Sequence, residues 1–428
     1  MILKQKQAHS FSFSLELSGE FSDNNLLDKA SLSILYGYKK LISDKNNISL
    51  LDICNDDLEF KISKDIAIEI SNKYKKLIIF GIGGSSLGGQ ALCGSRFYQY
   101  LSSQTIEIIF IDNLHYHNFN IFLENLDFTS TAFLTISKSG KTLETLSQIL
   151  VTQDFFKKDI EKLGAENFYF ITEDSKSPLK DIADNLKRPI IPHSNQIGGR
   201  YSCFTSVAMI PAILTGINIS EYIKGGKNII DNFLNEAEDS MVFKGASIIK
   251  AAMDSGYSNH VFIPYLQRLY QTTYWYAQLF AESLGKNGMA MTPIKALGSV
   301  DQHSQLQLYL DGPKDKFFTF ITQSTEDLGN EIIIPHNVQD IDYFNNNKLG
   351  DVIFANQEST IETLIEQKCP VRRIHFENFS DKALGEILMF FMLETILLGY
   401  AMNINPFDQP AVETGKIKAR NILLKNNI

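Results

Sequence analysis

The chain has 428 residues, 44% hydrophobic and 21% charged, with a formal net charge of -9. That length allows two or three domains and a substantial core, and no element gathers Lys and Arg as a general nucleic-acid binder needs. Cys54, Cys93, Cys203 and Cys369 are scattered, with no CxxC and no His/Cys cluster, a usage that fits reduced thiols in a cytoplasmic protein rather than a disulfide frame or a zinc site.

In chain order, the opening MILKQKQAHSFSFSLELSG has no continuous apolar run, so no secretory signal is expected. Residues 1–60 read as a helical or extended segment. Apolar runs rich in β-branched and aromatic residues follow at 75–84, 105–113, 131–137 and 167–174, as strands buried on both faces require. Between them, 142–158 places Leu143, Leu146, Ile149, Leu150 and Phe155 on a helical stripe. This alternation implies right-handed βαβ units. Segment 198–240 reads as mainly helical, linking to a second set of strands at 259–265, 317–323, 351–357 and 371–378. The apolar segment 384–401 is interrupted by Glu386 and Glu394, and reads as a buried helix rather than a membrane span. The expected fold is α/β, with two doubly wound domains (61–210 and 241–400) of mainly parallel sheets flanked by helices. Residues 211–240 connect them, and a C-terminal helix occupies 401–428.

Ligands in such sheets sit beyond the carboxyl ends of strands, so the loops there carry the functional reading. GIGGSSLGG (81–89) follows the first strand, and its glycines and serines, Gly84 and Ser85 among them, allow close approach to an anion. Ser86 breaks a dinucleotide-binding fingerprint, and Gln90 stands where a phosphate-binding lysine would. SKSGKT (137–142) ends like a nucleotide-binding P-loop, but the first glycine of that motif falls on Thr135. What remains is Ser137, Ser139 and Thr142 with Lys138 and Lys141 at a helix start, suited to a phosphomonoester. A plain Ser/Thr helix cap is the bland alternative.

Arg200 in QIGGRYS is either a surface arginine or a fixed cation for charge that develops during reaction. Glu282 lies in the last turn of a helix ended by Gly285. It reads as an i,i+4 partner of Lys286, or as a general base with its pKa raised toward neutrality by the dipole and burial. His303, in DQHS, reads as a satisfied structural histidine or a proton carrier. His115 and His117 have no third ligand in view and read as loop residues. Lys416, beside Lys418 and Arg420, sits on a helix whose start is signalled by Gln409-Pro410, and such a run reads by itself as a solvated face.

GIGGSSLGG, SKSGKTLET, GGRYS, ESLGKNG, DQHS and FDQPAVETGK, in this order from residue 81 to 416, resemble the glucose-6-phosphate isomerase (phosphoglucose isomerase) family in its shorter bacterial form. The resemblance implies two sugar-isomerase (SIS) domains, reversible conversion of glucose 6-phosphate and fructose 6-phosphate through a cis-enediolate, and no metal or organic cofactor. By the same resemblance Ser137, Lys138, Ser139 and Thr142 hold the phosphate, with Gly84 and Ser85 near the sugar. Glu282 is the base, Arg200 stabilises the enediolate, His303 and Lys416 assist ring opening, and Gln409 lines the site. It also implies a homodimer in which His303 crosses the interface, with no nucleic-acid or membrane partner. Lys141 stands where the resemblance leads one to expect a small or hydroxyl residue. Two further readings stay open in the sequence: an isomerase that also accepts mannose 6-phosphate, and a non-catalytic SIS sugar-phosphate sensor.

Overall fold

The computed structural model describes residues 11–19, 21, 25–96 and 106–425. Residues 1–10, on which much of the amino-terminal expectation rests, lie outside the described residues.

Two five-stranded sheets organise the described residues. The first contains β2 (Lys76–Phe80), β3 (Glu107–Ile111), β4 (Thr131–Ile136), β5 (Phe168–Thr172) and β6 (Ile190–Pro192), in the order β3-β2-β4-β5-β6 with every pairing parallel. The chain leaves β2 for β3 and returns past β2 to β4, so the sheet reverses direction between β2 and β4. A ligand crevice is expected there. Phe80 pairs with Thr135 in register, which carries both strands to the same edge and sets the turns after them side by side.

The second sheet repeats this plan with β7 (Asn259–Pro264), β8 (Thr292–Lys295), β9 (Lys316–Gln323) and β10 (Val371–Phe376), in the order β10-β9-β7-β8. An antiparallel edge strand, β1 (Phe13–Ser18), is added on β10, with Phe13 opposite Phe376. Sequence reading did not identify β1, β6 or β8, which are short or at a sheet edge. The strand expected at 351–357 is instead part of the helix Leu349–Glu366. Its Val-Ile-Phe run looks extended, but Asp351 accepts from the Lys348 N–H at the helix start, and Gln357, Thr360, Ile361 and Leu364 are buried at helical spacing.

The helix Asp381–Ala401 runs through the centre and is buried from Ala383 to Gly399. It is long and apolar enough to cross a membrane by composition, yet 94% of that stretch is inside the protein. The two acidic residues of the buried stretch explain how. Glu386 accepts from Asn228 Nδ2 and from the Ser12 N–H, both at 2.8 Å, and Glu394 pairs with the buried Arg372 at 2.5 Å. A charge can be buried when it is paired and hydrogen-bonded. This helix crosses Ile219–Glu236 at a spacing only glycine permits, because a Cβ on Gly385 would lie 1.9 Å from the Tyr222 carbonyl oxygen. The four cysteines are free thiols.

Candidate active site

The turn after β2 and the turn carrying Arg200 meet backbone to backbone. A Cβ on Gly84 would stand 2.3 Å from the carbonyl carbon of Gly199, and Ser202 Oγ donates to the Gly84 carbonyl at 3.2 Å. The glycines here therefore bring two loops together, in addition to leaving backbone accessible beside Ser85. Gly83 adopts φ +58°, and a Cβ there would press within 2.9 Å of Gln278 Nε2.

Arg200 is 2% exposed, so the surface-arginine reading fails. Its Nε donates to Ser283 Oγ at 2.7 Å, and its Nη1 to Gln409 Oε1 at 2.8 Å and Glu282 Oε2 at 3.3 Å. Nη2 donates to the carbonyls of Pro406 at 2.6 Å and Asp408 at 3.1 Å. These five bonds occupy all the N–H donors of a guanidinium. Trp275 Nε1 fixes the Arg200 backbone through its carbonyl at 3.0 Å. The cation is held in one orientation before any ligand arrives.

Glu282 lies on the helix Tyr270–Leu284, which is capped at Gly285 and packs against the helix Leu87–Gly94. Its carboxylate, 32% exposed, takes Gln278 Nε2 on one oxygen at 3.0 Å and Arg200 Nη1 on the other. Lys286 does not pair with it. That ammonium binds Asp408 Oδ1 at 2.8 Å instead.

The loop after β4 is built differently from a P-loop. Thr135 is a buried strand residue, and Gly140 has φ +61° with a would-be Cβ 2.2 Å from Ser177 Oγ. Thr142 stands at the N-cap of the helix Leu143–Phe155 without capping it, because its hydroxyl bonds Ser137 Oγ at 2.9 Å. The plain-cap reading fails there, which leaves the first turn without a side-chain cap beside these hydroxyls, an arrangement that can receive an anion. Ser139 Oγ accepts from the Lys141 N–H at 3.3 Å, while the Lys141 side chain is exposed. Lys138 departs from expectation. Its ammonium donates to the carbonyls of Asn195 at 2.8 Å and Ile197 at 3.0 Å, with Glu173 at 3.7 Å, and burial pushes its pKa down. It ties this loop to the segment leading into Gly198 and Arg200 rather than offering its donors to a ligand.

His303 and Lys416 are not gathered around Arg200. The His303 side chain is exposed in the turn between Val300–Gln302 and the helix Leu306–Asp311. Asp301 shapes that turn, accepting from the Leu297 N–H at 2.7 Å and Gln305 Nε2 at 2.8 Å. Lys416, on the exposed helix Glu413–Lys425, pairs with Glu413 at 2.6 Å. The same helix reaches the loop after β4 through Arg420 Nη2, which donates to the Lys141 carbonyl at 3.1 Å.

Sequence reasoning did not single out Ser283, Tyr201 or Gln278, and it named Lys286 only as a partner for Glu282. Ser283 is fully buried and also bonds the Tyr201 hydroxyl at 2.9 Å. Its place directly after Glu282 was the available signal. Among the described residues, no three His, Cys, Asp or Glu gather as a metal-holding group. A cavity of about 250 Å³ beside Cys93 and Gln271 lacks this polar convergence, and burial pushes the Cys93 thiol up to about 12.

Known proteins resemble this chain over most of its length. The family model described as phosphoglucose isomerase matches residues 63–427. A glucose-6-phosphate isomerase of Campylobacter jejuni is 30% identical over 99% of this chain and 98% of its own. One of Carboxydothermus hydrogenoformans is 32% identical over 82% of this chain and 79% of its own. The crystal structure of a glucose-6-phosphate isomerase from Chlamydia trachomatis superposes with a TM-score of 0.81 at 20% identity, covering 97% of this chain and 89% of that one, and shows the shared fold.

Proposed function

The chain belongs to the phosphoglucose isomerase family, and from that premise we propose that Glu282 and Arg200 carry its chemistry. The reaction is the reversible interconversion of glucose 6-phosphate and fructose 6-phosphate on an α/β fold of the SIS type. The supporting observation is the contact of a buried, fully bonded Arg200 with a partly exposed Glu282, Nη1 to Oε2 at 3.3 Å.

Ser137, Ser139 and Thr142, with the first-turn N–H groups of Leu143–Phe155, receive the phosphate. Gly84 and Ser85 border the sugar, and Lys138 fastens the phosphate loop to the Arg200 turn. Glu282 removes the proton at C2 and returns it at C1. As it takes that proton its negative charge disappears, and its hold on Nη1 weakens as the oxyanion forms. Arg200 can then exchange one anion for another with little movement, which is preorganised electrostatic stabilisation. Gln409 keeps the other Nη1 donor in place. His303, entering from the partner, and Lys416, whose helix reaches the phosphate loop through Arg420, assist ring opening. A coupled assay on fructose 6-phosphate tests this reading: turnover should persist in excess chelator, and its absence would sink it.

Hydrogen bonds to a charged group contribute about 1.5–3 kcal/mol each. Thr142→Val should therefore raise KM roughly 10- to 100-fold with little change in kcat. An unchanged KM would remove Thr142 from the phosphate site.

The homodimer, with His303 serving the partner's site in a cytoplasmic enzyme, belongs to the same proposal. The exposed imidazole supports it, as do the exposed Ile417, Ile422 and Leu424 on the C-terminal helix. Glu282→Gln and His303→Ala chains, each nearly inactive alone, should regain about a quarter of wild-type activity when unfolded together and refolded in equal amounts, since half the dimers are mixed and hold one intact site. Activity no higher than the mean of the two would refute the crossing. The domain limits at 61, 211, 241 and 401 are likewise proposed, supported by the two sheets, with β1 joined to the second.

A further inference from the structure

Lys286 lies just past the end of the base-bearing helix, 15% exposed, and turns away from Glu282. Its ammonium donates to the carbonyls of Asn405 and Asp408, the latter at 2.7 Å, and to Asp408 Oδ1 at 2.8 Å. The same short segment supplies both acceptors of Arg200 Nη2, the carbonyls of Pro406 and Asp408, and then Gln409 for Nη1. Tyr201 also donates its hydroxyl to the Pro406 carbonyl at 3.1 Å. The guanidinium is thus held at two points. Ser283, from the helix of Glu282, fixes Nε, and the 406–409 segment fixes the far edge.

One point of attachment leaves a planar cation free to swing about its Nε bond, while two define its plane. Pro406 is buried and Phe407 packs on the Tyr201 ring, which anchors the middle of the segment, but Asn405 and Asp408 on either side are exposed. The Lys286 ammonium binds the segment at both of these flanks of Pro406 and so fixes the direction in which its carbonyls point.

We propose that Lys286 is a positioning residue for the isomerisation, clasping residues 405–408 so that they hold the Arg200 guanidinium facing Glu282. The inference rests on Arg200 being the charge stabiliser. Because the phosphate is received at residues 137–142, the clasp acts on kcat and not on KM.

The test is a double-mutant cycle on fructose 6-phosphate turnover, with kcat and KM measured separately. Lys286→Met should lower kcat roughly 10- to 100-fold, the scale of a small misplacement of a catalytic group, with KM changed less than about threefold. In an Arg200→Lys background the same substitution should cause no further loss, because the group it positions is gone. Asp408→Asn keeps both carbonyls and should repeat the pattern at smaller amplitude; it carries the cycle should Lys286→Met not fold. Wild-type kcat in Lys286→Met, or equal losses in both backgrounds, would overturn the clasp alone. Arg200→Lys turning over at the wild-type rate would overturn the Arg200 assignment and the clasp with it.

Discussion

Glu282→Gln should lower kcat by roughly 100- to 10,000-fold, the usual contribution of a positioned general base, with KM for fructose 6-phosphate close to wild type. The amide is isosteric, so the hydrogen bond from Gln278 Nε2 at 3.0 Å can be kept by its oxygen. What disappears is the site that takes the C1 proton of fructose 6-phosphate and returns it at C2. The phosphate contacts at Ser137, Ser139 and Thr142 are untouched, which is why the loss falls on kcat. Stability should change little, because the carboxylate is 32% exposed, its contact with Arg200 is long at 3.3 Å, and the other bonds of the buried guanidinium remain. A melting temperature near wild type alongside the collapsed kcat separates a chemical role from a structural one. Near-wild-type turnover in the mutant would remove Glu282 from the reaction.

The parts of this site legible in the sequence are those carried by local rules. Gly140 and the hydroxyls around it follow a strand and open a helix, and that local order places them at the edge where β2 and β4 diverge. The Gly-Gly pair before Arg200 announced a tight turn, and the structure shows which partner it fits, the Gly84 backbone. The acceptors of Arg200 were not legible, because Ser283 lies 83 positions away and Pro406 lies 206. Nothing local to either residue records that pairing. Lys286 misled for the opposite reason. An i,i+4 neighbour was at hand in Glu282, and the longer-range Asp408 and its carbonyls won.

The fold shows the same division. Strands buried on both faces announce themselves by continuous apolar runs, as β4 and β9 do, with nearly every residue buried. The Val-Ile-Phe run at 352–354 imitates one, and only the helical spacing of Gln357, Thr360, Ile361 and Leu364 beyond it reveals the helix. Edge strand β1 has one fully buried residue, Phe13, so its pattern carries little signal until β10 is there to pair with it.

Arg200→Lys should lower kcat roughly 100- to 1,000-fold, the cost of removing a preorganised donor to a developing oxyanion. The positive charge survives, so any simple attraction for an anionic substrate survives with it, and KM should move far less than kcat. What fails is geometry. An ammonium has three donors on a flexible stem and cannot reach Ser283 and the carbonyls of Pro406 and Asp408 while keeping a donor toward Glu282. The abandoned acceptors are buried or half-buried, and each unsatisfied one costs about 1–3 kcal/mol, so the melting temperature should fall as well. Circular dichroism and a denaturant titration on the same samples separate that loss from the kinetic one. The decisive comparison is with the base. If protonation of Glu282 and stabilisation by Arg200 are one event, the Glu282→Gln, Arg200→Lys pair should lose about as much as the worse single mutant, far less than the product of the two. Fully multiplicative losses would mean that the two residues act independently, and that their 3.3 Å contact has no part in the reaction.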